Sequence, residues 1–177
     1  AGGAVVVVAA VRGLGSGRRD DGDEGPPRAK SDTDWASTLT RDQFHVLRMG
    51  GTEHPFSGEY VQFSPAGGHF ACAGCALPLY SAGSKFESSC GWPAFDKSVG
   101  GSVLVQTDFS LGRVRSEIVC AGCGGHLGHV FGGEASSATE ERHCVNSVAL
   151  QYEKQALPAG TPEATVLKYR DGDGSRG

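Results

Sequence analysis

One tetrapeptide occurs twice in this chain, and the pair limits the possible folds more than any other feature. CAGC stands at Cys72–Cys75 and again at Cys120–Cys123. Six cysteines in a secreted chain would suggest three disulfides, but paired CxxC hooks make poor disulfide frameworks and good tetrahedral metal sites. Two thiolates of one hook face the same ion when the backbone between them bends sharply. Gly74 and Gly122, each preceding the second cysteine of its hook, are expected to permit that bend. A redox pair would not need an equivalent second hook, and four unpaired buried thiols would not need the spacing. Cys72, Cys75, Cys120 and Cys123 are therefore expected to bind one zinc ion. Four thiolates leave no open position for water, so the site should be structural and should tie two distant parts of the chain together.

Composition agrees with a small folded protein rich in turns. The chain has 177 residues, 38% of them hydrophobic and 20% charged, enough for one domain with its own core. Its 28 glycines and 8 prolines favour short strands over long helices. A net charge of -4 and the lack of a basic stripe argue against a nucleic-acid binder. A thiol-rich metal site suits a reducing compartment.

Residues 1–33 are expected to form a disordered extension or the remnant of a targeting segment. The apolar run Ala4 to Val11 is too short to span a bilayer, and a charged, Gly/Pro-rich stretch follows it. The sequence leaves the compartment undecided between the cytoplasm and, if residues 1–33 derive from a targeting segment, a plastid or mitochondrion. The folded domain is expected over residues 34–155 and a loose tail over 156–177, where ATVLKY offers one short strand or turn. DWASTL suggests a short helix; TRDQFHVLRMGG suggests another, with Thr40 and Gln43 as a capping box and Gly50-Gly51 as its stop. GEYVQF, HFAC, SVLVQTDF, RVRSEIVC, GHVF and HCVNSVALQY have the alternation or β-branched content of strands.

Two cysteines remain once the hooks are set aside. Cys90 precedes GWPAF, where Gly91 and Pro93 suggest an exposed turn presenting Trp92. Cys144 lies between His143 and an apolar run, with Arg142 nearby and Asn146 two residues on along the same strand face. Nearby cations lower a thiol pKa, although a lone cysteine is more often a buried hydrophobe. His126 and His129 in CGGHLGHVF remain open on spacing alone as metal ligands, core groups or general acids, and the filled zinc shell disfavours the first. His45, His54 and His69 are expected to be surface or core groups. His143, adjacent to Cys144, should point to the opposite strand face, and Trp35 should pack the first helix.

The segments CAGC, SSCGWPAF, CAGCGGHLGHVF and RHCVNSVAL, in this order, resemble the methionine-R-sulfoxide reductases of the MsrB type, over about Asp34 to Tyr152. GTEHPFSGEY and PLYSAGSKF are similar to the family's intervening segments. The resemblance implies a mainly β fold of two antiparallel sheets with short N-terminal helices and a structural zinc distant from the chemistry. It implies Cys144 as nucleophile and Cys90 as resolving cysteine, with His126, His129, Arg142, Asn146 and Trp92 lining the active site. It further implies reduction of methionine-R-sulfoxide in proteins through a sulfenic acid and a Cys90–Cys144 disulfide, recycled by thioredoxin or a similar dithiol. A monomer with no membrane partner is expected. One departure stands out. The family often carries an acidic residue two positions after HVF, where this chain has Gly133. Either Glu134, one residue along, takes its place, or Arg142 is held differently. The rivals are a non-catalytic zinc ribbon, which leaves Cys90 and Cys144 unexplained, and a zinc hydrolase or deaminase, which needs an open metal position or an H-x-E signature that is missing.

Overall fold

The computed structural model describes residues 30–167. The extension expected over 1–33 lies outside that range except for its last four residues, as does the tail from 168 onward. The elements in chain order are α1 (Asp32–Thr38), α2 (Arg41–Met49), β1 (His69–Cys72), β2 (Pro78–Ser81), β3 (Lys85–Phe86), β4 (Ala94–Phe95), β5 (Ser98–Val99), β6 (Val103–Asp108), β7 (Arg115–Cys120), β8 (His126–Phe131), β9 (Arg142–Val145), β10 (Leu150–Glu153) and β11 (Ala164–Thr165). The strands pair antiparallel into a six-stranded sheet of order β3-β4-β9-β8-β7-β6, a three-stranded sheet of order β10-β1-β2 and a ribbon of β11 with β5. This is the expected mainly β architecture with two short helices.

Local chemistry sets the helices. Ser31 with Asp34, and Thr40 with Gln43, form reciprocal capping boxes, and Gly50 ends α2 in the left-handed region at φ 68°. Val46 and Leu47 of α2 are buried beside Trp35 of α1 in the main core, with Phe70, Tyr80, Phe95, Ile118 and Leu127. Burial of a side chain such as Leu47 stabilises by about 2 kcal/mol. Among the described residues no helix is long and apolar enough to cross a membrane.

Two expected strands fail locally. HCVNSVALQY is not one strand: β9 ends at Val145, Ser147–Ala149 form a 3-10 turn, and β10 joins the other sheet. GEYVQF is a run of turns, not a strand. Tyr60 and Phe63 pack on the same aromatic cluster, Tyr60 at 5.5 Å from Phe70 and Phe63 at 4.8 Å from Tyr152. Residues three apart on a strand would point to opposite sides. The Tyr60 amide bonds instead to the Ser147 hydroxyl at 2.8 Å. The short strand expected in ATVLKY is present and attaches the tail beyond residue 155. Ala164 and Thr165 pair with Val99 and Ser98, and the Leu167 amide donates to Glu141 at 2.9 Å.

The β7–β8 hairpin and the strand β9 beside it place most of the functional side chains. The register shifts between Ile118 and Val119, so that Glu117 faces His129 and Val119 faces His126, with Leu127 as the extra residue. Residues three apart would ordinarily face opposite ways. This bulge brings His126 and His129 to one face, their rings 5.6 Å apart.

Candidate active site and metal-binding cluster

The four hook cysteines come together. Their sulfurs lie within 4.8 Å of one another, with Cys72 at 3.7 Å from Cys123 and Cys75 at 3.5 Å from Cys120. A zinc tetrahedron with bonds of about 2.3 Å has sulfur–sulfur edges of about 3.8 Å, so the donor set fits that ion in kind and size. The expected role of the glycines needs correction. Gly74 and Gly122 do not take positive φ; the left-handed residues are those just after each hook, Ala76 at φ 60° and Gly124 at φ 67°. There the Ala76 amide reaches Cys72 O and the Gly124 amide reaches Cys120 O, both at 2.8 Å, and these turns close the hooks. Gly122 is needed for close approach instead, since a Cβ there would stand 3.1 Å from the Cys75 sulfur. Leu47 packs against Gly125, and Arg48 donates to the Cys123 carbonyl at 3.1 Å, so α2 covers the cluster.

A second group of residues lines an open cleft of about 340 Å³: Cys90, Trp92, His129, Arg142, Cys144 and Asn146 all reach it, and none of the hook cysteines does. The sheet explains the meeting. Cys144 sits on β9, flanked by Ala94 of β4 and His129 of β8. The Val145 amide donates to Pro93 O at 3.0 Å, which clamps the turn carrying Cys90 and Trp92 beside the strand. Gly128 makes room for this packing, because a Cβ there would lie 1.9 Å from Cys144 O.

The two thiols titrate together. Hydrogen bonding to Cys144 draws the Cys90 thiol down to about 5, against the cost of burial. The same contact, with burial, pushes Cys144 up, and the Arg142 guanidinium opposes that rise. The pair gives up its first proton easily and holds the second, leaving one negative charge between two sulfurs. Arg142 Nη1 lies 3.0 Å from Cys144 Sγ, and the same guanidinium also favours the Cys90 thiolate, so it stabilises the shared charge on either sulfur. Arg142 is itself held by Glu134, its Nε 2.9 Å from the carboxylate, and its guanidinium lies 4.9 Å from the Phe131 ring centroid. Burial works against the Arg142 charge, but the neighbouring sulfurs and Glu134 outweigh it and raise its pKa. Glu134 thus stands where the sequence left a gap at Gly133.

The histidines are held by carboxylates that the sequence did not reveal. His129 Nε2 donates to Asp108 at 2.8 Å, and the same Asp108 oxygen accepts from Arg115 at 2.6 Å. Burial lowers the His129 pKa, partly countered by Asp108, so the ring is mostly neutral at neutral pH. His126 Nδ1 donates to Glu117 at 2.6 Å, while its buried Nε2 has no partner. His126 does not line the cleft wall; it stands behind His129. Asn146 turns inward: Nδ2 donates to Leu127 O at 2.9 Å and Oδ1 accepts from the Glu53 amide at 3.0 Å, with no histidine bonded. The Trp92 indole donates to Glu53 O at 3.2 Å, which fixes the ring. His143 points away from the cleft, fully buried, and bonds Glu141 at 3.0 Å. His69 is buried and bonds Gln155 O at 2.9 Å, while His45 and His54 are exposed.

Arg113 and Arg115 also line the cleft and were missed. The signal was available: Arg113, Arg115 and Glu117 alternate with apolar or small residues in RVRSEIVC, which puts three charged groups at period two on one face. For Asp108, Glu53 and Thr52 the sequence holds no comparable signal.

Two thiols that share one charge can give up two electrons by joining as a disulfide, and an open cleft over them admits a substrate that accepts those electrons. The site is thus a cleft lined by two thiols, separate from a cluster of four cysteines placed to hold a metal ion. The SelR domain model matches residues 39–154. A protein of Arabidopsis thaliana named peptide methionine sulfoxide reductase B3 is 50% identical over 139 residues, covering 78% of this chain and 73% of its own. Peptide methionine sulfoxide reductase MsrB of Leifsonia xyli is 45% identical over 128 residues, 72% of this chain and 91% of its own. An uncharacterized protein of Schizosaccharomyces pombe is 47% identical over 133 residues, 75% of this chain and 96% of its own. The chain belongs to the SelR family, the methionine sulfoxide reductases of the B type.

Proposed function

We propose that this protein reduces methionine-R-sulfoxide in oxidised proteins, with Cys144 as nucleophile and Cys90 as resolving cysteine. The observation that carries the reading is the contact of Cys144 Sγ with Arg142 Nη1 at 3.0 Å, in a cleft that Cys90 also lines. The Cys144 thiolate attacks the sulfoxide sulfur. A sulfoxide oxygen leaves poorly unless protonated, so an acid must act with the nucleophile. His129 Nε2–H is committed to Asp108. Only the protonated ring therefore has a second N–H to give, and the activity should favour pH below neutral. His126 does not line the cleft, but its ring lies 5.6 Å from that of His129, near enough to act through a water. The oxygen and the proton end on Cys144 as a sulfenic acid, and methionine departs with two electrons gained.

The Cys90 sulfur then attacks the sulfenic sulfur. A disulfide forms and water leaves, taking the oxygen and two protons. A thioredoxin-like dithiol restores both thiols by exchange. Trp92, fixed through its indole N–H, offers an apolar face for the S-methyl group. The R preference rests on the family resemblance. Cys72, Cys75, Cys120 and Cys123 would hold zinc, which ties β1 and its hook to the β7–β8 hairpin and takes no part in the chemistry.

A thiol count before and after one equivalent of methionine-R-sulfoxide tests the scheme. Two thiols should disappear while four stay metal-bound; no loss sinks it. Cys144→Ser should lower the rate by at least about a thousandfold and keep the metal. Cys90→Ser should complete one turnover and stop recycling by thioredoxin.

A further inference from the structure

The charged side chains around the cleft have direct partners, with one exception. Arg113, Arg115 and Arg142 line the cleft, and among the described residues no carboxylate does. Two of the three arginines are neutralised from behind, Arg115 by Asp108 at 2.6 Å and Arg142 by Glu134 at 2.9 Å. Arg113 is exposed and has no hydrogen bond or ion pair among the described residues. A chain of net charge -4 thus presents one uncompensated positive side chain at the mouth of the cleft. Phe109 and Val114, close to Arg113 in sequence, are 72% and 44% exposed, so apolar surface accompanies the charge.

A substrate methionine entering the cleft brings its neighbouring residues to the mouth. We propose that the cleft selects sulfoxide-bearing peptides with an acidic residue beside the oxidised methionine, and that Arg113 is the side chain that recognises it. An exposed Arg–carboxylate contact is weak, and it shifts binding about two- to fivefold. A basic neighbour meets Arg113 with like charge and is disfavoured by a similar factor. Arg115 and Arg142 contribute less, since each already has a carboxylate partner. This inference rests on the reductase reading above.

The test compares three short peptides that carry methionine-R-sulfoxide flanked by Asp, Ala or Lys. Dithiothreitol serves as reductant, so that docking of a protein reductant does not enter the rates. At low ionic strength kcat/KM should fall from the Asp to the Ala to the Lys peptide, about two- to fivefold per step. In about 0.5 M salt, where the screening length is about 4 Å, the spread should narrow. Arg113→Gln should collapse the spread and Arg113→Glu should reverse the order, with thermal melts matching the parent protein. Equal rates for the three peptides, or an order that Arg113→Glu leaves unchanged, overturn the inference while the reductase reading stands. Failure to turn over any of the three overturns that reading and the inference with it.

Discussion

The metal-binding cluster and the cleft are both built around cysteines, and the β7–β8 hairpin serves both, yet they are assembled in opposite ways. The cluster uses one residue type at one spacing, repeated, and its two hooks close through matching turns after Cys75 and Cys123. The cleft uses single residues from separate places: Cys90 before β4, His129 on β8 and Cys144 on β9, with Asp108 at the end of β6 holding His129. A motif with short internal spacing carries most of its own geometry. A site assembled across strands depends on register, and here on one bulge and one glycine.

The comparison breaks first at the cluster. Removing the metal, or making Cys120→Ser, should lower the thermal midpoint by more than about 10 °C, because binding energy of a structural metal is folding energy. Metal analysis should find one zinc per chain before removal. A melt that does not change would mean that the cluster holds nothing together.

Gly128→Ala is expected to cost about 2–4 kcal/mol of stability and more than about tenfold in activity, with the metal retained. A Cβ at that position lies 1.9 Å from Cys144 O, so β8 and β9 must separate where the nucleophile sits. Urea melts and steady-state rates check both parts. If stability fell and activity did not, register would matter less to the cleft than the contrast with the cluster demands.

Glu134→Gln frees Arg142 from its ion pair and should lower kcat/KM about tenfold with little change in melting, because the pair is partly exposed. The smallest effect is expected at Asp108→Asn, mainly in the pH profile. Burial holds the His129 pKa below the usual histidine value, and Asp108 raises it. Activity that needs the protonated ring falls as pH rises through that pKa. Without the carboxylate the fall should move to lower pH; a profile that stays in place would remove His129 as the acid.

The hooks, the helix caps and the mainly β character were determined by the sequence alone, since each rests on residues within a few positions of one another. Ser31 with Asp34 and Cys72 with Cys75 need no distant partner to be recognised. The tertiary structure decided the rest. It placed His129 on the cleft wall and His126 behind it, through a bulge that leaves no mark in the spacing of GHLGHVF. It gave the histidines Asp108 and Glu117, and it turned Asn146 inward to Leu127 and Glu53. It also answered the gap at Gly133, because Glu134 reaches Arg142 from one residue further on. The physical reason is that a contact between side chains on separate strands depends on register and backbone direction, which form only once the whole sheet has assembled.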